Sequence, residues 1–387
     1  METKIENDVL TVYLEGRITA DNAPSVQDEI SKALEEEHTS VTFNCEKLEY
    51  ISSAGLRVIL RTKKLEPSLK LVDVSSEVYE IFEMTGFTEM MDIEKAYRRM
   101  SIEGCEQIGQ GSNGKVYRIN ADTIVKVYYN ADALPDIHRE RELARKAFVL
   151  GIPTAIPYDV VKVGDTYGSV FELLNAKSYI KMIVEDPSTI DEYIVKFVDL
   201  MKKIHSTKVK PGDLPDVKQT VLGWAEYLKD YIPQDKYEKL KGMIQAVPDT
   251  HTMIHGDYHM KNVMIQDGET LLIDMDTLSE GHPIFELGSV FNAYVGFADV
   301  DKNVTEEFLG IPRETAIYIW NKTLPLYLET EDEEKIKAVE KKAKLVGYTR
   351  LLRRTIKREG FEKASKTIEF YKENLLQLID EVDTLVF

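Results

Sequence analysis

The order of hydrophobic and polar positions divides the chain into three stretches. Residues 1 to about 98 alternate short apolar runs with helical periods, which predicts an α/β domain. Residues 104–175 carry β-branched and aromatic runs separated by glycines, which predicts a β-rich lobe, and residues 176–387 are dominated by helical periods. We therefore expect an amino-terminal α/β domain followed by a bilobal fold with a β-rich lobe and a mostly helical lobe.

The first stretch has a regular succession of predicted elements. A strand is expected over residues 9–14 before a turn at Gly16, and Asn22 is placed to cap a helix with Val26, Ile30 and Leu34 on its apolar face. The remaining predicted elements are a strand at 40–43, a loop at 49–55 with a helix directly after it, a strand at 69–72, and a helix at 76–84 that stops at Gly86.

A glycine-rich segment opens the second stretch. The same pattern of glycines occurs in dinucleotide-binding folds, where it leads into a helix. Here β-branched and aromatic residues follow it, with a turn at 120–122, so a β-hairpin is predicted instead. This order, with Lys126 on the next strand, is that of a kinase nucleotide lobe, in which glycines admit phosphates and the lysine neutralises them. The candidate residues are Gly109, Gly111, Ser112, Asn113 and Gly114.

A helix predicted over about 135–150 should supply the acidic partner that positions Lys126. Glu140 and Glu142 compete for this role. Glu140 shares its face with Ala144, on the side expected to pack inward, whereas Glu142 lies on a charged face. We choose Glu140.

The segment after this helix contains a second group of candidate nucleotide contacts. Phe171, Glu172 and Leu173 end an apolar strand at the position where a kinase lobe has the hinge that holds an adenine base. This assignment depends mainly on position along the chain.

Three polar residues of the third stretch predict a phosphoryl-transfer centre. Asp257 can accept the proton of an attacking hydroxyl, while Asn262 and Asp274 can hold magnesium against nucleotide phosphates. The residues between Asn262 and Asp274 predict a β-hairpin with its turn at Asp267-Gly268, which would bring the two ligands together. The alternative is an ordinary polar loop followed by a strand-end turn residue.

Composition and charge narrow the class of protein. The chain has 387 residues, 43% of them hydrophobic, and no run of roughly 18 apolar residues that would predict a membrane span. Its two cysteines, Cys45 and Cys105, exclude a disulfide framework, and no secretory signal is visible at the amino terminus. A net charge of -18 argues against extensive contact with nucleic acid or an anionic membrane. We expect a cytoplasmic protein.

The first stretch resembles the STAS family, the fold of anti-sigma factor antagonists. The resemblance rests on the segments 14–18, 50–58 and 84–87, which occur in the order of that family. It implies a small regulatory α/β module over residues 1–98, with Ser53 in the place of a serine that a partner kinase phosphorylates. Phosphate at a helix amino terminus would meet free backbone N–H groups. The alternative is that Ser52 and Ser53 only cap the helix; Ser52 and Thr19 also stand where acidic residues are common.

From about residue 104 to 387 the chain resembles the aminoglycoside phosphotransferase and choline kinase family, relatives of the protein kinases. The resemblance rests on the His-Gly-Asp segment ending at Asp257, on Asn262 and Asp274, on the glycine loop and on Lys126. It implies ATP as phosphate donor, Asp257 as catalytic base, Asn262 and Asp274 as ligands of Mg²⁺, and a small-molecule hydroxyl as acceptor. The implied parts are a nucleotide lobe over 104–175 and an acceptor-binding lobe over 176–387.

Some positions near these motifs leave alternatives open. Asp276 is either a further acidic group near the metal or a surface-turn residue, and Glu286 stands where the family usually has an aspartate. Lys202, Lys203 and His205 are expected to form a solvated helix end.

A locally basic helix near the carboxy terminus has three interpretations. It is a solvated face that pairs with acidic residues 331–334, a site for an anionic acceptor, or a docking face for the acidic amino-terminal module. The solvated face is preferred, because charge runs usually have that role. The residues are Arg350, Arg353, Arg354, Lys357 and Arg358.

Three functional hypotheses follow. The first is an ATP- and Mg²⁺-dependent small-molecule phosphotransferase with a STAS-like regulatory module that binds a protein partner. The second is a protein serine kinase that phosphorylates Ser53 in the same chain or another copy, since fusion raises the effective concentration of that serine. The third is a regulatory protein whose kinase-like lobe senses nucleotide without turnover.

Overall fold

The computed structural model describes residues 1–111, 113–155, 157–174 and 176–387. They form two compact units, one of Met1–Ser101 with Val160–Asp165 and one of Ile102–Asp159 with Thr166–Phe387. Within the described ranges, no helix combines the length and the apolar character needed to cross a membrane.

The first unit is built around a mainly parallel sheet. Its strands have the order β1–β2–β3–β4–β5, in which β1 and β2 are antiparallel and the later pairs are parallel. Helices connect the parallel strands, as parallel pairing requires. The elements are β1 (Glu2–Glu6), β2 (Val9–Ile18), α1 (Ala23–Ala33), β3 (Ser40–Ile51), α2 (Ser53–Leu65), β4 (Lys70–Val74), α3 (Ser76–Met84), α4 (Phe87–Met90), β5 (Ile93–Lys95) and β6 (Arg98–Arg99).

The core of this unit comes from the apolar positions that alternate along its strands. Leu10 and Val12 of β2 and Phe43 of β3 are fully buried, and they belong to the same cluster as Ile59 of α2 and Phe82 of α3. Burial of each such side chain contributes roughly 1.5–3 kcal/mol. The alternation of strands and helices predicted for this stretch is confirmed.

Three details of the strand prediction were wrong. Gly16 does not end β2; it lies inside the strand with φ +66°, beside a shift in register with β3, as in a β-bulge. The third strand continues to Ile51, and β1 precedes the first predicted strand. The pattern missed β1 because all of its residues are exposed, so it carries no apolar signal.

The second unit contains a β-rich part and a helical part. The elements that follow β6 along the chain are β7 (Glu106–Gln110), β8 (Gly114–Arg118), β9 (Thr123–Tyr128), α5 (Leu134–Val149), β10 (Asp159–Val163), β11 (Thr166–Glu172) and β12 (Lys177–Ser178). Most of β10 groups with the first unit, where it pairs in parallel with β6 at Arg98–Val161 and Arg99–Lys162.

The strands around the glycine segment form the predicted hairpin. β7 pairs antiparallel with β8, β8 with β9, and β9 with β11. Lys126 of β9 is paired in register with Val116 on one side and Ser169 on the other.

The helical part follows β12. Its elements are α6 (Tyr179–Glu185), α7 (Ile190–Ser206), α8 (Val217–Leu228), α9 (Gln234–Gln245), β13 (Met253–Ile254), β14 (Val263–Gln266), β15 (Glu269–Leu272), β16 (Ser279–Glu280), α10 (Ile284–Tyr294), α11 (Val304–Leu309), α12 (Arg313–Leu328), α13 (Glu333–Arg358) and α14 (Gly360–Glu381), with 3-10 turns at Pro187–Thr189, Met275–Thr277 and Gly296–Asp299. The α/β domain followed by a fold with a β-rich and a helical part confirms the predicted fold class.

Helix α10 lies at the centre of the helical part, and all of its residues are buried. It packs closely on α13 because each helix has a glycine at the crossing. A Cβ on Gly288 would lie 2.6 Å from Val346, and one on Gly347 would lie 2.6 Å from Phe291. This packing holds α13, and with it Arg350, beside the segment that contains Asp257.

Candidate active site

The segment from His255 to Asn262, called the catalytic loop below, begins where the short strand β13 ends. Gly256 has φ +84°, and a Cβ at this position would lie 2.6 Å from the carbonyl oxygen of Thr277. Only glycine fits both the conformation and the space. The Thr277 hydroxyl also donates to the carbonyl of His255, at 2.7 Å.

A buried carboxylate holds the beginning of the catalytic loop. The two oxygens of Glu286 on α10 accept the backbone N–H groups of His255 at 2.7 Å and Gly256 at 2.9 Å. Burial by itself would raise the pKa of the Glu286 carboxyl, but His205 and His255 outweigh it and lower that pKa. Glu286 therefore stays ionised while it orients the backbone next to Asp257.

His205 differs from its prediction. The sequence places it on a solvated helix end, but the side chain is buried, with Nδ1 2.7 Å from the hydroxyl of Tyr327 and Nε2 3.6 Å from Glu286. The prediction was wrong because α12 covers the end of α7. Lys202 and Lys203 beside it do point outward, and Lys202 pairs with Glu329 at 2.6 Å.

Asp257 has two cationic or potentially cationic neighbours. Its carboxylate oxygens lie 3.6 Å from His259 Nε2 and 4.0 Å from Arg350 Nη2. Burial would raise the pKa of the Asp257 carboxyl, but His259 and Arg350 outweigh it and hold that pKa at about 2. The carboxylate is therefore ionised, and able to accept a proton, at neutral pH.

Asn262 and Asp274 lie at the two ends of a β-hairpin, as predicted. β14 and β15 pair antiparallel, Asp267 and Gly268 of the turn both have positive φ, and the Ile273 N–H donates to the Asn262 carbonyl at 3.0 Å. The Asn262 side-chain amide donates to the carbonyl of Asp257 at 3.1 Å. The catalytic loop is thus linked directly to the strand that precedes Asp274.

Asp274 has an uncommon backbone conformation for a non-glycine residue, with φ +66°. Its carboxylate is partly exposed, and Oδ1 lies 3.7 Å from the ammonium group of Lys126. Asp276, two residues on, lies close to several acidic groups. Burial, and then the charges of Asp274 and Glu140, raise the pKa of the Asp276 carboxyl to about 7.

Lys126 contacts the glutamate chosen from the sequence. Its ammonium group donates to both oxygens of Glu140, at 3.0 and 3.1 Å, and Tyr128 donates to the same carboxylate at 2.6 Å. Glu142, the competing residue, pairs with Lys146 on the exposed face of α5 at 3.0 Å. Burial by itself would lower the pKa of Lys126, but Glu140 outweighs it, so that pKa is raised and the lysine stays charged.

The glycines of the nucleotide segment have different surroundings. A Cβ on Gly114 would lie 2.3 Å from the carbonyl oxygen of Val127, so this glycine is required by the neighbouring strand. A Cβ on Gly111 would meet nothing within 4 Å, and Gly109 would make ordinary contacts with Val116. Ser112 lies outside the described residues.

A cavity of about 320 Å³ lies between Asn113 of the glycine segment and residues of β9 and α5. Asn113, Tyr128, Glu140 and Asp276 are among the residues that line it. Part of the cavity is therefore formed by residues that the sequence assigned to nucleotide or metal binding.

The predicted hinge residues lie at the end of β11. Phe171 and Glu172 pair with Ile124 and Thr123 of β9. The Leu173 N–H donates to the carbonyl of Asp122 at 2.8 Å, so this donor is already used within the protein.

Comparison with known proteins identifies the larger part of the chain. Residues 104–313 match the model of the phosphotransferase enzyme family, and this match covers more than half of the 387 residues. The chain belongs to the phosphotransferase enzyme family. Residues 1–100 of the phosphotransferase match the STAS domain model, so both predicted resemblances are confirmed.

Solved structures with a similar fold include aminoglycoside phosphotransferases. APH(4)-Ia, in a ternary complex with AMP-PNP and hygromycin B, has 12% identity and a TM-score of 0.50, and the match covers 72% of this chain and 93% of that one. The ADP-bound APH(2'')-Ib has 16% identity and a TM-score of 0.48, with coverage of 79% and 99%. At these identities the likeness concerns the fold alone.

The STAS domain also has a curated relative. BtrV of Bordetella bronchiseptica, which carries the provisional name of an anti-sigma factor antagonist, is 29% identical over 89 residues. The match covers 22% of this chain and 77% of BtrV.

The STAS domain places its two candidate serines differently. The Ser52 hydroxyl caps α2 by accepting the Gly55 N–H at 3.3 Å. Ser53 is the first residue of α2 and is exposed. The capping alternative therefore applies to Ser52, and the Ser53 side chain points to solvent.

Sequence reasoning missed His259 and Arg350 as neighbours of Asp257. Arg350 donates from Nη1 to the Gly256 carbonyl at 3.2 Å and to the Ser289 hydroxyl at 2.9 Å, while Nη2 faces Asp257. The preferred interpretation of its helix as a solvated face was wrong for Arg350. The sequence signal that could have identified Arg350 was the basic cluster on its helix, because one interpretation of that cluster was a site for an anionic acceptor.

Proposed function

We propose that this phosphotransferase transfers the γ-phosphoryl group of ATP to a hydroxyl of a small molecule. The observation that carries the proposal is one continuous line of contacts. It runs from Asp257 through Asn262 to the hairpin end at Asp274, and from there through Lys126 to Glu140. An ionised base, oxygen ligands and a fixed lysine are the parts that phosphoryl transfer needs.

In the proposed reaction the acceptor hydroxyl attacks the γ-phosphorus of ATP. The bond between the acceptor oxygen and the γ-phosphorus forms, and the bond between that phosphorus and the β–γ bridging oxygen breaks, so ADP leaves with the bond electrons. Asp257 takes the proton of the hydroxyl, because its carboxylate is ionised at neutral pH. Glu286 and Arg350 hold the backbone of Gly256, directly before this carboxylate, through its N–H and its carbonyl.

The donor set near Asp274 fits magnesium. The side-chain oxygens of Asn262 and Asp274 are hard ligands, and Mg²⁺ is usually bound by one or two such groups together with phosphates and water. Asp276 adds a further acidic group close enough to Asp274 to interact with its charge. Among the described residues no group of three or more His, Cys, Asp or Glu side chains is placed to hold a metal ion, so phosphates and water would have to complete the ligand set. Magnesium, when bound, would neutralise charge on the phosphates.

We assign the nucleotide to the first part of the phosphotransferase unit. Lys126, fixed by Glu140, would contact the phosphates, and the open backbone at Gly109 and Gly111 would admit them. Phe171, Glu172 and Leu173 would line the base, through groups other than the Leu173 N–H. In this proposal residues 104–175 bind ATP, residues 176–387 bind the acceptor, and residues 1–98 regulate the enzyme through a protein partner.

The test combines nucleotide binding with turnover. We expect calorimetry to show ATP binding that requires Mg²⁺, and a screen of hydroxylated metabolites to find one that releases ADP. Asp257→Asn should abolish release while ATP still binds. Asp267→Asn is the matched control, because it removes the same charge in the nearby hairpin turn, where asparagine tolerates the positive φ. Absence of ATP binding in the presence of Mg²⁺ would refute the proposal.

A second candidate function is phosphorylation of Ser53 by the phosphotransferase unit, in the same chain or in another copy. The exposure of Ser53, in contrast to the capping hydroxyl of Ser52, favours it as an acceptor. Labelled ATP should then modify the wild-type chain, and Ser53→Ala and Asp257→Asn should each abolish the label. Label that survives Ser53→Ala but disappears in Asp257→Asn would place the acceptor elsewhere.

A further inference from the structure

The basic cluster of α13 forms one face of that helix. We call Arg350, Arg353, Arg354, Lys357 and Arg358 the arginine face. Their spacing of three and four residues puts them on one stripe, which extends for about 12 Å along the helix axis. Arg350 is at one end of this stripe and Arg358 is at the other.

The Arg350 end of the arginine face lies at the proposed catalytic base. Arg350 Nη2 is 4.0 Å from an oxygen of Asp257, and Nη1 bonds to the backbone of Gly256. A molecule whose hydroxyl faces Asp257 would therefore have Arg353 and Arg354, about 5 Å further along the helix axis, as its next basic neighbours.

Aromatic rings support the guanidinium groups. Arg350 lies over the ring of Trp224 with its Cζ atom 5.7 Å from the ring centre, and Arg353 lies over Tyr227 at 5.6 Å. Arg354 lies over Phe297 at 5.2 Å. An arginine stacked on a ring keeps its N–H groups at the edge, where they can bind a carboxylate or phosphate in a bidentate manner.

The arginine face differs from the rest of α13 in its pairing. In the first half of the helix Lys337, Lys341 and Lys344 each pair with a glutamate, at 3.2, 2.8 and 3.0 Å. Among the described residues, the members of the arginine face beyond Arg350 make no ion pair with a carboxylate. The Arg353 Nε atom is buried without a hydrogen-bond partner within the same described ranges.

This pairing pattern is unusual for a chain with a net charge of -18, in which acidic partners are abundant. Burial, and then the charges of Arg358 and Arg350, lower the pKa of the Arg354 guanidinium, while Glu359 acts in the opposite direction. The arginines are therefore close enough to repel one another, and an anion between them would relieve that repulsion.

We propose that the acceptor of this phosphotransferase is an anionic hydroxyl compound, a small molecule that carries a carboxylate or phosphate group. The arginine face binds that group, and Asp257 faces the hydroxyl. The proposal rests on the proposed function, and it assigns Arg353 and Arg354 as determinants of acceptor specificity.

The test uses four probes that differ mainly in charge. Glucose 6-phosphate and gluconate are anionic, glucose is neutral, and glucosamine is cationic. Binding to the full chain is measured by calorimetry with Mg²⁺ and ADP present, and turnover by ADP release with ATP. The expected result is that at least one anionic probe binds at least about tenfold more tightly than glucose, since hydrogen bonds to an ionised group are stronger than those to a neutral one. A preference for the phosphate or the carboxylate probe tells which group the site takes.

Substitutions then test whether the arginine face is the site that binds the anionic probe. The double variant Arg353→Gln with Arg354→Gln should raise the Kd of the preferred anionic probe by about tenfold or more and leave ATP binding unchanged. The double variant Lys337→Gln with Lys341→Gln removes the same charge from the other half of α13 and should leave the Kd unchanged. Far-ultraviolet circular dichroism checks that both variants keep the helical fold.

The outcomes separate the two proposals. Binding of glucose or glucosamine as tight as that of the anionic probes, equal Kd values in the two double variants, or no anionic binding by a chain that still binds ATP would each overturn the anionic acceptor. In all three cases the phosphotransferase proposal stands. If ATP itself does not bind, that proposal fails first, and calorimetry with the anionic probes alone still decides whether the arginine face binds anions.

Discussion

The Ser52–Ser53 junction of the STAS domain and the catalytic loop are both short polar segments that follow a strand, yet they are held in different ways. The Ser52 side chain is held locally, because its hydroxyl accepts an N–H only three residues away, and only its backbone N–H has a distant partner, the carbonyl of Ile18 on β2 at 2.8 Å. The catalytic loop is held by Thr277, Glu286 and Arg350, which lie 22 to 94 positions away.

This difference concerns the kind of chemistry that each segment can support. A capped helix start leaves the Ser53 hydroxyl exposed, which suits a group that another molecule must reach. A loop fixed by buried charges holds its carboxylate in one position, which suits a base that must meet a substrate with little reorganisation. The comparison predicts that distant substitutions damage the catalytic loop far more than the serine junction.

The largest effect is expected at Glu286. Glu286→Ala leaves two backbone N–H groups and the buried His205 without their partner, so the free energy of unfolding of the phosphotransferase unit should fall by about 3–5 kcal/mol. Urea unfolding followed by tryptophan fluorescence, which reports on Trp224 and Trp320 in that unit, would measure it. Glu142→Ala, on the exposed face of α5, is the control. A loss below about 1 kcal/mol would show that the loop is held mainly by its own backbone.

A second effect separates two glutamates of one helix. Glu140→Gln should lower the rate of ADP release about 10²-fold, because Lys126 loses the charge that positions it, while folding is largely kept. Glu142→Gln should leave the rate within about twofold, because surface pairs contribute little. Similar rates for the two variants would contradict the assignment of Glu140.

A smaller effect is expected at the serine junction. Ser52→Ala removes the side-chain cap of α2 and should destabilise the STAS domain by about 1 kcal/mol. Ser53→Ala should change its stability by less than about 0.5 kcal/mol, because the side chain is exposed. Thermal unfolding of the full chain followed by circular dichroism would compare the two. A larger loss of stability in Ser53→Ala than in Ser52→Ala would show that Ser53, and not Ser52, has the structural role.

The smallest effect concerns a thiol of the STAS core. Burial, and then the charge of Asp73, raise the pKa of the Cys45 thiol to about 12. The thiolate is thus nearly absent at pH 8, so iodoacetamide should modify the partly exposed Cys105 and spare Cys45 in the native chain. Reactivity of Cys45 should appear only when the domain unfolds, or as the pH approaches 12. Peptide mapping after labelling would measure both sites, and rapid native labelling of Cys45 would show that this core opens.

Local patterns were sufficient where the partners of a residue are close in sequence. The hairpin between Asn262 and Asp274 was predictable because its turn residues accept positive φ and its strands are apolar. Glu140 could be separated from Glu142 because a helical period fixes which side faces inward. The roles in catalysis that we assign to these residues are proposals for the experiments above.

Sequence patterns did not predict the surroundings of a charged residue where those surroundings depend on packing between helices that are distant in the chain. His205 is followed by polar residues and resembles a helix end in water, but α12 covers it. From the sequence, Glu286 was notable only because it stands where the family usually has an aspartate. Its two hydrogen bonds to the catalytic loop could be found only in the folded structure.

The sequence by itself therefore determined the two families, the order of strands and helices, and the residue types needed for phosphoryl transfer. The reason is that apolar periodicity, turn residues and short motifs each involve only a few residues that are close together in the sequence. Only the tertiary structure decided which buried charges hold the catalytic loop and that Arg350 reaches Asp257. Those contacts depend on the close crossing of α10 and α13 at Gly288 and Gly347, which joins residues far apart in the chain.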